Sequence, residues 1–95
     1  MLKLIWDPAK NVLNRQKHGV SFEEAASVFC DEYGRIVYDS EHSDDEDRFL
    51  LLGMSNMPRL LVVCHCYREN DEIVRVISAR KASNHEIAQY KGFKL

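Results

Sequence analysis

Leu60-Leu-Val-Val-Cys-His-Cys-Tyr67 is apolar at both parities, and such a run reads as a central strand covered on both of its faces. Working outward, Arg35–Asp39, Phe49–Gly53 and Ile73–Arg80 read as further strands, divided by the turn-rich pieces Ser55-Asn-Met-Pro58 and Arg68-Glu-Asn-Asp71. Leu2–Trp6 predicts a short opening strand. Asp7-Pro8 then caps a first helix and fills its first turn, and Gly19 ends it as a left-handed cap. Ser21-Phe-Glu-Glu24 is a capping box, with Val20 and Ala25 placed as a hydrophobic staple, and it opens a second helix that runs to about Cys30. Phe22, Ala25, Ala26 and Phe29 share the face of that helix that meets the core. Ser83-Asn-His-Glu86 repeats the box and starts a last helix through Tyr90. The order β-α-α-β-β-β-β-α predicts an α+β domain with a mainly antiparallel sheet and helices packed on it.

At 95 residues, 45% of them hydrophobic, the chain is expected to be one domain over residues 1–95. No apolar run approaches the roughly 18 residues of a membrane span, and the Met1–Asp7 start is too short and wrongly charged for a signal peptide. Cys30, Cys64 and Cys66 cannot close a disulfide framework, so the expected place is a reducing cytoplasm. The formal net charge of −2 hides a division: between Asp31 and Asp47 eight acids face one arginine, which leaves −7 there and +5 on the remainder. Nucleic-acid binding is therefore compatible with the overall acidity if the two signs separate in space. The segment Asp39–Asp47 is expected to lie away from an RNA groove, or to receive a basic partner through Asp44, Asp45, Glu46 and Asp47.

On a helical wheel of the first helix, Ala9, Val12, Leu13 and Gln16 make one side. Lys10, Asn11, Asn14, Lys17 and His18 make the other. Amides, ammonium groups and an imidazole on one uninterrupted face suit phosphate contacts; an ordinary solvated face would look the same. Arg68, Arg75 and Arg80 flank or occupy the last two strands, and guanidinium forks suit phosphates and a developing phosphorane. Arg75 and Arg80 have opposite parity, so they share a face only if one lies past the strand end or a bulge re-aims it. Edge-strand arginines that block aggregation are the alternative.

Cys64-His65-Cys66 carries zinc-binding residue types, but i and i+2 cysteines share a face with the histidine opposite, and no second ligand pair follows. Glu41-His42-Ser43-Asp44-Asp45 reads as a solvated acidic loop. No GxSxG, HExxH, Walker or GxGxxG motif occurs, and neither a metal nor a cofactor is expected. A small chain without a protein nucleophile can still cleave RNA, because the substrate's 2′-hydroxyl attacks and the protein supplies a base, an acid and positive charge.

Trp6-Asp-Pro-Ala-Lys10, Asn14, Lys17-His-Gly-Val-Ser-Phe-Glu-Glu-Ala25, Arg59-Leu-Leu-Val-Val63, Arg75-Val-Ile-Ser-Ala-Arg80 and Tyr90 together resemble the BrnT family of bacterial toxins, over nearly the whole chain. The resemblance implies a RelE-like ribonuclease fold and metal-independent RNA cleavage that stops translation. It also implies neutralisation by a BrnA-like ribbon-helix-helix antitoxin, with operator DNA a partner only through that antitoxin. The matched polar positions are Lys10, Asn14, Lys17, His18, Glu23, Arg75, Arg80 and Tyr90, while Cys66 and His65 depart from the family pattern.

The expected site has Arg80 and Arg75 at the scissile phosphate, and Lys17 and His18 near the 2′-hydroxyl or leaving oxygen. Lys10, Asn14, Arg68 and Tyr90 are expected to contact RNA. A non-catalytic module that pairs with a ribbon-helix-helix protein is the alternative, and a small adaptor domain a third. Convergence of Lys17, His18, Arg75 and Arg80 in one groove separates them.

Overall fold

The computed structural model describes residues 2–93. In chain order the elements are β1 (Lys3–Ile5), α1 (Pro8–His18), α2 (Phe22–Ser27) continued by a 3-10 turn (Val28–Cys30), β2 (Arg35–Tyr38), β3 (Phe49–Met54), β4 (Leu60–Arg68), β5 (Ile73–Lys81) and α3 (Asn84–Phe93). The sheet runs β1-β5-β4-β3-β2, with β4 at its centre. Every pairing is antiparallel except β1 with β5, which is parallel. The α+β architecture read from the sequence is the one found, with element ends shifted by a few residues.

Local chemistry explains the helix ends. The Asp7 carboxylate accepts the Ala9 N–H at 2.9 Å, Pro8 sits in the first turn, and Gly19 closes α1 at φ 69°. The box at α3 is reciprocal: Ser83 Oγ accepts the Glu86 N–H at 3.2 Å, and Glu86 Oε1 accepts the Ser83 N–H at 2.8 Å. At α2 only half of the box forms. Ser21 Oγ caps Glu24 N–H at 3.0 Å, but the Glu24 carboxylate turns inward and accepts from Arg59 Nη2 at 2.6 Å, Arg59 Nε at 2.7 Å and Ser55 Oγ at 2.7 Å.

The two faces of the sheet are covered unequally. On one, Val20, Phe22, Ala25 and Val28 from α2 and its flanks pack on Leu51, Leu61, Val63, Val76 and Ala79. On the other, Tyr90 of α3 meets Leu52 and Val62, with Leu60, Met54 and Phe93 around them. Close approach of the 3-10 turn requires Gly53, where a Cβ would stand 2.8 Å from Val28 Cγ1. Helix α3 reaches only one end of the second face, so the Cys64–Arg68 end of β4 is left without a helix over it. Among the described residues no helix is long and apolar enough to cross a membrane.

Glu24 is almost fully buried, and its carboxyl lies below the usual carboxylate range because the Arg59 fork binds it, against the opposing pull of burial. Since the folded-state pKa is depressed, the pair stabilises the fold above the unfolded value of 4.5, and this is lost as pH falls through the lower folded value. Arg59→Ala strands the buried charge and is expected to cost about 3 kcal/mol in urea melts at pH 7. The deficit should shrink on acidification, and an equal deficit at pH 7 and pH 3 would contradict the assignment.

Candidate active site

Between Cys64 and His65 the ladder of β4 with β5 slips: Cys64 faces Ser78 while His65 faces Val76, so Ile77 is an extra residue in β5. Arg75 lies opposite Cys66 and Arg80 opposite Val62, and Cys66, Cys64 and Val62 point to one face of β4. The bulge thus resolves the parity conflict and brings Arg75 and Arg80 to the same face, the one only partly covered by α3. Their ladder positions are four β4 residues apart, about 13 Å of strand.

Arg48 and Arg68 join this face. Together with Arg75 they surround Glu46, whose carboxylate oxygens lie 2.6 Å from Arg75 Nη2, 3.3 Å from Arg68 Nη2 and 3.5 Å from Arg48 Nη2. Burial pushes the Glu46 carboxyl up, but Arg75, Arg68 and Arg48 more than offset it and hold the group below its ordinary range. One carboxylate cannot satisfy three guanidinium groups. The Nε atoms of Arg48 and Arg75 are buried and meet no acceptor among the described residues, so Glu46 leaves the cluster incompletely paired. Arg68 also opens a turn in which Glu69, Asn70 and Asp71 all take positive φ, at 50°, 59° and 67°.

Arg80 stands at the other end, with its fork on Glu86 at 2.8 and 3.0 Å. That bond, with help from the Ser83 N–H and against burial, holds the Glu86 carboxyl down to about 2. Asp39, His42, Arg48, Ser78 and Arg80 ring a hollow of about 260 Å³ that reaches the Cys64 thiol, whose pKa burial raises.

Helix α1 is turned the opposite way from its hydrophobic wheel. Val12 and Leu13 are 53% and 62% exposed, whereas Asn14 is buried. Asn14 Oδ1 accepts the Ala79 N–H at 3.1 Å, and its Nδ2 donates to the carbonyls of Ala79 at 2.9 Å and Val20 at 2.8 Å. Asn14 is therefore corrected from an RNA contact to a clamp: its amide has no group left to offer. Asn11 similarly joins Glu23 and the Phe22 N–H. The buried Asn14 amide replaces a missing strand partner at the β5 edge beyond β1, and this outweighs leaving two aliphatic side chains in water. Lys10 and Lys17 are exposed and His18 half-buried. The sheet register brings Arg75 and Arg80 to one face, while Lys17 and His18 end helix α1, whose Asn14 meets the β5 backbone at Ala79.

Tyr90 is also corrected. Its ring is core, its hydroxyl donates to Asp31 Oδ2 at 2.6 Å, and burial together with that carboxylate pushes its pKa up to about 12. The acidic segment does not lie away from the arginines. Glu46 is turned onto them and is not a free docking group, while Asp44, Asp45 and Asp47 stay exposed. His65 is fully buried against Phe29, Phe49 and Tyr67, and burial lowers its pKa. Arg48 and the Asp39 and His42 pair have no signal as site residues in the sequence, where Glu86 reads as a cap and His42 as part of a solvated loop, because each depends on partners that only the fold brings in. No group of three or more His, Cys, Asp or Glu among the described residues is placed to hold a metal ion.

A family profile described as the ribonuclease toxin BrnT of type II toxin-antitoxin systems matches residues 6–86. A 1.1 Å crystal structure of the Brucella abortus ribonuclease toxin, BrnT, superposes with a TM-score of 0.66 at 26% identity, covering 88% of this chain and 100% of that one. No curated protein sequence matches the chain.

Removing the negative charge at the centre of the arginine cluster should strengthen anion binding. Glu46→Gln is expected to raise affinity for a fluorescein-labelled single-stranded oligonucleotide on the order of 5-fold in anisotropy titrations at low salt, the scale of one partly exposed ion pair. Unchanged or weaker binding by the folded variant would show that the cluster does not meet the nucleic acid.

Proposed function

The chain belongs to the BrnT family of ribonuclease toxins of type II toxin-antitoxin systems, and from that premise we propose that the bulged face of β5 is where RNA is cut, without a metal ion. Endoribonuclease activity, an RNA substrate and an antitoxin partner follow from the family; the location and chemistry of the site are this proposal. The observation that carries it is the set of Arg68, Arg75 and Arg80 on one sheet face, joined at Glu46 by Arg48 from the β2–β3 loop.

In the proposed reaction Arg80 binds the scissile phosphate, and Arg75, with Arg48 and Arg68, binds the adjoining backbone. The 2′-hydroxyl attacks phosphorus, and guanidinium groups aimed at the phosphoryl oxygens stabilise the charge that develops. A phosphate competes with Glu86 for the Arg80 fork and with Glu46 for Arg75. Lys17 and His18 follow Asn14 by about one turn, and Asn14 holds Ala79, the neighbour of Arg80. This supports a role for them, with Lys10, along the β5 edge where the RNA strand continues. Metal independence is part of this proposal: the guanidinium groups of the face supply the positive charge that a cation would otherwise bring.

The antitoxin is proposed to be a BrnA-like ribbon-helix-helix protein that carries the operator contacts and docks a basic segment on Asp44, Asp45 and Asp47. Asp47 accepts from the Tyr38 hydroxyl at 3.2 Å, which joins the acidic loop to the exposed edge strand β2, where Ile36 and Val37 are also in water. Charge and apolar surface there suit a protein partner. The proposed compartment is the cytoplasm, where the RNA is.

Two outcomes test this site. Cleavage of RNA should persist in excess EDTA; activity that disappears with chelator and returns with magnesium would contradict it. Arg80→Ala should lose on the order of 10²-fold in cleavage rate and Arg80→Lys should be intermediate, since lysine keeps the charge and loses the fork. Both should melt close to the parent, because the partly exposed pair with Glu86 contributes at most about 1 kcal/mol. Full activity of a folded Arg80→Ala protein would remove Arg80 from the site.

A further inference from the structure

His42, in the loop between β2 and β3, lies at the mouth of the hollow shared by Arg48, Ser78 and Arg80. Its ring is 62% exposed, but one nitrogen is fixed: Nδ1 lies 2.9 Å from Oδ2 of Asp39, whose side chain is only 9% exposed. Asp39 is itself anchored, its N–H donating to the Arg48 carbonyl at 2.9 Å, and the loop is tied again where the Arg48 N–H donates to Ser43 Oγ at 3.0 Å. A carboxylate oxygen accepts, so a neutral ring that bonds it through Nδ1 carries its hydrogen there and turns a free Nε2 outward. A buried carboxylate, an imidazole held by it in one tautomer, and two arginines at one hollow provide a base beside an anion site.

We propose that His42 is the general base of RNA cleavage and that Asp39 is its positioning residue; this rests on the arginine face being the ribonuclease site. Nε2 takes the proton of the 2′-hydroxyl as the 2′-oxygen bonds to phosphorus, and the bond from phosphorus to the 5′-oxygen breaks. The departing 5′-oxygen takes a proton from water, and the imidazolium returns its own to solvent. The products are a 2′,3′-cyclic phosphate and a 5′-hydroxyl, with no oxidant or other co-reactant. As pH falls the base becomes protonated and the rate declines. Asp39, Glu41, Asp44, Asp45, Arg48 and Arg80 are the charged groups that face the ring.

The test is single-turnover cleavage of a labelled RNA across pH by the full chain and by His42→Gln, Asp39→Asn, His18→Gln and Arg80→Ala, with anisotropy binding of the 2′-deoxy analogue, which lacks the nucleophile. His42→Gln should bind the analogue like the parent, cleave on the order of 10²-fold more slowly or worse, and lose the low-pH limb. Added imidazole should restore part of the rate to His42→Ala. Asp39→Asn should cleave more slowly with the limb displaced, and His18→Gln should keep the limb. If His42→Gln cleaves at the parental rate with the limb intact while Arg80→Ala is inactive, the site stands and His42 is not its base. If Arg80→Ala is fully active, the site itself is misplaced and the assignment of His42 falls with it.

Discussion

One unpaired residue in β5 determines what the sheet presents. With Ile77 facing no partner on β4, the strand changes phase between Val76 and Ser78, and Arg75 and Arg80, which a regular strand would send to opposite faces, share one. The Asn14 side chain takes up the N–H and carbonyl of Ala79 just beyond the bulge, so the re-phased segment is held from the α1 side as well as by β4. The hydrophobic face keeps its own phase through the same slip: Val76 and Ala79 both stay under α2, although they are an odd three positions apart. A bulge that satisfies core and active face together links the packing of the domain to its chemistry.

The arginines also have to be kept compatible with folding. Four guanidinium groups on one small face repel one another, and each of the two groups has an internal acid: Glu46 between Arg48, Arg68 and Arg75, and Glu86 on Arg80. These acids come from the β2–β3 loop and the first turn of α3, so the elements that frame the face also neutralise it. In the proposed site, substrate phosphates replace these carboxylates on the guanidinium forks. The same loop carries Asp39 and His42 at the hollow and the exposed Asp44, Asp45 and Asp47 beside them, which puts proposed catalysis and proposed antitoxin docking on one segment.

Features fixed by neighbours in sequence were legible: the Asp7, Gly19, Ser21 and Ser83 caps, the central β4 and the order of elements all follow from local patterns. The bulge was legible as one of two ways out of a parity conflict, although its position was not. The orientation of α1 was misread because a wheel ranks Val12 and Leu13 as inward by hydrophobicity. It cannot register that Asn11 and Asn14 complete backbone hydrogen bonds of distant segments. Glu24 was taken as a capping residue for the same reason: Arg59, 35 residues away, competes for it only in the folded chain. Tyr90 matched the family pattern and turned out to be core, so that match is explained by packing.

RNA is proposed to lie across the re-phased face of β5, continuing past Lys17 and His18, and not on the Val12 and Leu13 side of α1. The most direct measurement is an NMR titration of the parent protein with the 2′-deoxy oligonucleotide, following arginine Nε–H resonances beside the backbone amides. The account predicts that the Nε–H signals of Arg48, Arg75 and Arg80 shift together and saturate with the binding curve, while amides around Val12 and Leu13 stay in place. Saturating shifts confined to α1, with those three arginine signals unmoved, would contradict it.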